Sequence, residues 1–143
     1  MGTRQISVFL ENKRGRLAEV TRLLADNQVN IRALCIAETV DYGVLRLVVN
    51  DPDLAHRVLA DAGFTVTDTE VLAVELADRP GGLARVIGPL AQGGINVEYL
   101  YALVGTSGEK ATVVFRLEDT ARAIELLKRE GVRILEPEEV YSL

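Results

Sequence analysis

A chain of 143 residues is long enough for one ordinary domain or two small ones, and with 48% hydrophobic residues but only 5% aromatic and no Trp its core must be built mostly from Leu, Val, Ile and Ala. A net charge of −5, from 21 acidic and 16 basic residues, argues against a nucleic-acid reader, which presents a basic face and stacking aromatics. The lone Cys35 excludes an internal disulfide or cysteine-based zinc site and the lone His56 makes a poor metal site; with no apolar leader core and no apolar run near the ~20 residues of a bilayer span, the chain reads as soluble and cytoplasmic, without cofactor.

Ile6, Val8 and Leu10 alternate in a first strand over residues 6–10. A turn at 12–15 leads into an amphipathic helix over 16–27, where Leu17, Val20, Leu23 and Leu24 recur at helical spacing. Residues 31–38 form a second strand, with Cys35 read as a buried thiol in its apolar run. Asp41-Tyr42-Gly43 reads as the hairpin turn into a third strand over 44–49. Asp51 or Asp53 can cap a second helix that Pro52 suits and Gly63 ends. Phe64 to Thr67 begins a fourth strand, and the polar stretch Thr67-Asp68-Thr69-Glu70 reads as a hinge between halves.

The second half gives the same order. Strands are expected at 71–77, 96–104, 110–117 and 132–135, with a hairpin loop over 105–109. Helices are expected from Leu83 to beyond Leu90 and over 120–129. Gly88-Pro89 should kink or loosen the first of these, because proline removes one hydrogen bond and clashes with the preceding turn. The tail over 138–143 lines up with residues 70–75 and reads either as a further strand or as a frayed end.

This parallel order is an internal repeat. Asn12-Lys13-Arg14-Gly15-Arg16-Leu17 matches Asp78-Arg79-Pro80-Gly81-Gly82-Leu83 at a shift of 66 residues (81 minus 15). Val29-Asn30-Ile31 falls on Ile95-Asn96-Val97 at the same shift, and after the hairpins the shift is 68 (Gly63 on Gly131). Such a period is too long for a solenoid and fits a small domain. The fold class is therefore α+β: two tandem ferredoxin-like β-α-β-β-α-β units, residues 1–69 and 70–143, each an antiparallel sheet with two helices on one face. Units near 70 residues are marginal alone, so they are expected to pack about a pseudo-twofold axis, and the chain to form a homodimer.

The D-R-P-G-G-L turn after a strand, the helix ending Gly94-Ile95-Asn96-Val97 and the element order together resemble the ACT domain, in two copies over nearly the whole chain. ACT domains are small modules that bind amino acids and regulate amino-acid metabolism. The resemblance implies a ligand at the seam of two ACT units, held by Asp78, Gly81, Gly82, Leu83, Asn96 and Val97 in the second repeat. In the first it points to Asn12, Gly15, Leu17, Asn30 and Ile31. The first repeat departs from the motif, with Asn12 for Asp78 and Arg14 for Pro80.

The local chemistry agrees. Residues 79–83 lie at a helix start, where backbone N–H groups lack partners and the helix dipole favours an anion. Glycines let a carboxylate approach, Asp78 can receive an α-ammonium group, and Asn96 offers both donor and acceptor. The plainer alternative makes Asp78 a helix cap, the glycines turn formers, and Asn30 and Asn96 left-handed residues after a helix. The expected function is a stand-alone amino-acid sensor acting on a partner enzyme in trans, without nucleic acid or membrane. A structural assembly module and a small ferredoxin-like enzyme are the alternatives. The enzyme is the weaker of the two, since no base-oriented nucleophile or phosphate loop is evident.

Overall fold

A computed structural model describes residues 2–38, 41–103 and 108–143. By its internal contacts the chain separates into two compact units. The first comprises residues 4–69 with 141–143; the second comprises residues 70–140 with Gly2 and Thr3.

The first unit contains β1 (Thr3–Glu11), α1 (Arg16–Asp26), β2 (Ile31–Glu38), β3 (Tyr42–Val49), α2 (Pro52–Asp61) and the start of β4 (Thr65–Ala77). Its strand order is β2-β3-β1-β4, with β3 antiparallel to both β1 and β2. The second unit continues β4, then α3 (Gly82–Gln92), β5 (Val97–Ala102), β6 (Lys110–Leu117), α4 (Thr120–Arg129), β7 (Arg133–Ile134) and α5 (Pro137–Tyr141). Its order, β5-β6-β4-β7, repeats the first, again with antiparallel pairs. In each unit the two long helices pack on one another, α1 on α2 and α3 on α4. The ferredoxin-like α+β reading holds for both.

The cores repeat position by position. Val20 and Val86, Leu24 and Leu90, Leu47 and Phe115, Leu59 and Leu127 are all buried. Helix starts repeat as well: Asp51 and Asp119 each accept a hydrogen bond at 3.1 Å, from the N–H groups of Leu54 and Arg122. Helix ends differ in chemistry but not in shape. The left-handed residue after α1 is Gln28 (φ 62°) and after α3 is Gly94 (φ 74°), so Asn30 and Asn96 do not serve that purpose.

Several expectations are corrected. Thr67-Asp68-Thr69-Glu70 is not a bare linker; it lies inside the 13-residue β4. The alternating β-branched residues of Thr65-Val66-Thr67-Asp68-Thr69 favour an extended pleat, and Asp68 is tied to Arg4 and His56. Helix α3 continues past Pro89 to Gln92, with Val86 and Leu90 buried on either side of it. The tail forms α5, neither strand nor frayed end. Pro137 opens it, and Glu139 at its third position accepts the Glu136 N–H at 3.0 Å, half of a capping box. Tyr42 and Gly43 already belong to β3, paired with Glu11 and Glu38; the rest of that hairpin, residues 39 and 40, lies outside the described residues, as do residues 104–107 of the second hairpin. Cys35 is half-buried, because it lies on the sheet face opposite the helices.

Candidate functional site

The two predicted loops have the same backbone. Gly15 and Gly81 are the N-caps of α1 and α3, both left-handed (φ 90° and 87°), and neither helix has a side-chain cap. The N–H groups of Asn12 and Asp78 donate to the carbonyls of Asp41 and Glu109 at 2.9 and 2.8 Å. Asp78 is therefore not a helix cap, and its exposed carboxylate has no hydrogen-bond or ion-pair partner among the described residues. The donor set needs one correction. The Gly82 N–H already donates to the Arg79 carbonyl at 3.0 Å, whereas those of Gly81 and Leu83 have no acceptor among the described residues.

Gly82 is a glycine for packing. A Cβ there would stand 1.9 Å from the carbonyl oxygen of Ala77 at the end of β4. The space that the sequence reading gave to an anion is filled by backbone. Gly15 and Gly81 instead have open space and need glycine for their positive φ.

Asn96 and Asn30 do not join these loops within a unit. Ala77 pairs with Lys110 at one end of β6, and Val97 pairs with Leu117 at the other. Asp78 bonds to Glu109 and Asn96 to Glu118, so nine residue steps (118 minus 109) at ~3.4 Å separate the two by about 30 Å along the strand. The first unit repeats this, with Glu11 opposite Tyr42 and Ile31 opposite Val49. Asn96 and Asn30 are exposed, and their carbonyls accept the N–H groups of Glu118 and Asn50 at 3.1 Å. Ile31 and Val97 pack against the cores.

Open cavities flank both loops. On the outer side of the first, a cavity of about 220 Å³ brings together Asn12, Leu17, Arg16 and Ile36. On the inner side, toward the turn after the second helix, each unit has a larger one. That of the first unit, about 600 Å³, is lined by Phe9, Tyr42 and Phe64 with Glu11, Glu19 and Arg16. That of the second, about 550 Å³, takes in Gly81 and Gly82 with Arg79, Arg85, Lys110, Arg133, Glu75 and Glu109.

A family model for the ACT domain pair matches residues 1–143. The chain belongs to the ACT domain pair family. Among solved structures it resembles protein BT0572 from Bacteroides thetaiotaomicron, at 43% identity over 100% of this chain and 98% of that one, with a TM-score of 0.95. The regulatory subunits of aspartate kinase from Thermus thermophilus and Thermus flavus share the fold at 16% and 17% identity. Their TM-scores are 0.65 and 0.59, with 89% and 90% of this chain and 91% and 92% of theirs covered. No curated protein matches the chain in sequence.

The two ACT units differ in how their charges are used. Near the first loop, Lys13 pairs with Glu11 at 2.7 Å, and Arg16 with Glu11 and Glu19, each at 3.2 Å. Lys13's hydrogen bond, with its charge and that of Arg16, holds the Glu11 carboxyl below its ordinary value. The Arg16 guanidinium is thus engaged by two carboxylates of its own unit. In the second ACT unit, Glu75 bridges Lys110 (3.2 Å) and Arg133 (2.8 Å). Burial pushes the Glu75 carboxyl up, but those two cations together outweigh it and hold it low. The basic cluster escaped the sequence reading, although the repeat carries its signal: Arg85 replaces Glu19, Lys110 replaces Tyr42 and Arg133 replaces Thr65. Among the described residues no group of three or more His, Cys, Asp or Glu could hold a metal, and no helix is long and apolar enough to cross a membrane.

His56 belongs to a structural network, with Nδ1 2.8 Å from Asp68, which also binds Arg4; Arg4 reaches Asp53 as well. Burial pushes the Asp68 carboxyl up, but hydrogen bonds from His56 and Arg4 win and hold it below its ordinary value. A depressed carboxyl pKa stabilises the fold above the unfolded pKa, and that contribution disappears as pH falls through the folded one. Asp68→Asn should therefore be less stable near neutrality by up to about 1 kcal/mol. The gap should close below the ordinary carboxylate range near pH ~4. Denaturation curves for both proteins across that range check it, and a gap that persists in acid would assign the loss to something other than charge.

Proposed function

We propose that the chain is a stand-alone sensor. It binds an amino acid where the loop of one ACT unit meets the strand ends of another, and it regulates a partner protein in amino-acid metabolism without catalysing a reaction itself. The observation that carries this reading is the separation of its halves. Asp78 and the N–H groups of Gly81 and Leu83, unpaired among the described residues, offer an ammonium acceptor and carboxylate donors, while Asn96 lies about 30 Å away along the strand in the same unit. On this reading another ACT unit supplies the asparagine to this loop.

A homodimer would supply it. The outermost strands β2 and β5 and the helices beside them expose matching apolar residues, Leu17 and Leu83 on the helices, Leu34 and Leu100 on the strands. Leu34 lies opposite Leu47 and Leu100 opposite Phe115, so both sit on the core-side face where no helix covers them. Leu17 and Ile36 also line the small cavity beside Asn12, which a docked unit of a second copy would close. The likeness to aspartate kinase regulatory subunits supports an allosteric role with an enzyme as the partner. Regulation then requires the ligand to bind one arrangement of units more tightly than others.

A thermal-shift screen against the common amino acids tests the reading, since ligand at ~100 times its Kd adds ~2.7 kcal/mol. For a ligand so found, a lost hydrogen bond to a charged group is worth ~1.5–3 kcal/mol, so Asp78→Ala and Asn96→Ala should each weaken binding at least roughly tenfold by calorimetry. Asn12→Ala should do less, because its amide takes the place of a charge. No stabilisation by any amino acid, or wild-type affinity in Asp78→Ala, would refute the proposal.

A further inference from the structure

The inner cavities of the two ACT units occupy the same place in the repeat and carry opposite chemistry. Both lie among the end of a unit's first strand, the start of its first helix and the turn after its second. The first unit's cavity is aromatic, and its charged lining is one Arg against two Glu, a net of −1. The second unit's has three Arg and one Lys against two Glu, a net of +2. In a chain whose net charge is −5, this is a local reversal.

Ion pairs inside the second unit do not consume it. Glu75 occupies Lys110 and one side of Arg133, and Glu139 takes the other. The side chains of Arg79 and Arg85 have no ion-pair or hydrogen-bond partner among the described residues. Each presents a planar guanidinium suited to bidentate binding of carboxylate or phosphate. A volume of about 550 Å³ lies in the range of small-molecule sites.

We propose that this cavity, wholly within the second ACT unit, is a second ligand site for a small organic dianion, a dicarboxylate or phosphate ester, gripped by Arg79 and Arg85 with Lys110 and Arg133 behind them. It borders the amino-acid site at Gly81, whose N–H that site uses, but it is built from the arginines rather than from Asp78 and Asn96 and needs no second unit. The first unit's cavity takes no such ligand, because Glu19 stands in place of Arg85 and Arg16 is held by Glu11 and Glu19.

The test uses the full chain with succinate and with inorganic phosphate, each against sodium chloride of equal ionic strength. Saturable binding by one of them is expected, succinate identifying a dicarboxylate and phosphate a phosphate ester. Arg79→Gln and Arg85→Gln should each weaken it at least roughly tenfold, since a charge-assisted hydrogen bond is worth more than one decade in affinity. Arg129→Gln, on α4 and paired with Glu125, should bind as wild type. Amide NMR shifts should move at Gly81 and Gly131 and stay fixed at Gly15 and Gly63. Failure of both anions to exceed the chloride control would overturn the site, as would unchanged affinity in both cavity variants or shifts confined to the first unit. None of these results depends on amino-acid binding, so the sensor proposal stands or falls separately.

Discussion

Gly82→Ala is expected to destabilise the second ACT unit by about 3 kcal/mol, the upper part of the usual range for overpacking. The added Cβ would stand 1.9 Å from the Ala77 carbonyl oxygen and 3.0 Å from its carbon. Backbone cannot swing aside as a side chain can. That carbonyl also accepts the Arg79 N–H at 2.9 Å, and Ala77 is paired to Lys110, so relief requires moving the end of β4 or the start of α3. The same helix supplies the control. A methyl group added at Gly88 would meet nothing within 4 Å, so Gly88→Ala should stabilise by roughly 0.5–1 kcal/mol through lost unfolded-state freedom. Urea denaturation of both variants should show opposite signs. A Gly82→Ala protein as stable as wild type would mean that strand and helix do not approach so closely.

That glycine shows where reading from sequence stops. The repeat made the element order and the buried positions legible, because hydrophobic spacing depends on local geometry that both copies obey. Residue pattern also located the loops: Gly15 and Gly81 sit at positive φ where a strand turns into a helix. What Gly82 faces, however, is set by a contact with Ala77 five residues earlier, and no periodicity encodes it. The distance between Asn96 and Asp78 within their unit is hidden for a similar reason. Sequence places both beside α3, but only strand register shows that they lie at opposite ends of the unit. The polar stretch before residue 71 misled in the other direction, since Thr and Asp suit a loop by polarity and Thr suits a strand by shape. Pairing with Arg4 and His56 gives Asp68 a place in the fold.

Phe115→Ala is expected to cost about 3–5 kcal/mol, the range for emptying a phenylalanine site in a core. Phe115 has no exposed surface and lies on β6 opposite Leu72 on one side and Leu100 on the other. Its counterpart in the first unit is Leu47, opposite Ile6 and Leu34 and equally buried. The repeat has thus filled one position with two shapes, so Phe115→Leu should cost roughly half as much as alanine, with a smaller cavity left behind. For a domain with ~5–15 kcal/mol in hand, the alanine variant loses a large share of its stability. The consequence reaches the candidate site because β6 spans it: Lys110 begins the strand beside the Asp78 loop, and Leu117 ends it opposite Val97, next to Asn96. Calorimetric melting of Phe115→Ala should therefore show the second unit weakened, and an amino acid held by that unit at ~100 times its Kd should restore ~2.7 kcal/mol. A ligand that stabilises the wild type but leaves the Phe115→Ala transition unmoved would place its site away from the second unit's loop.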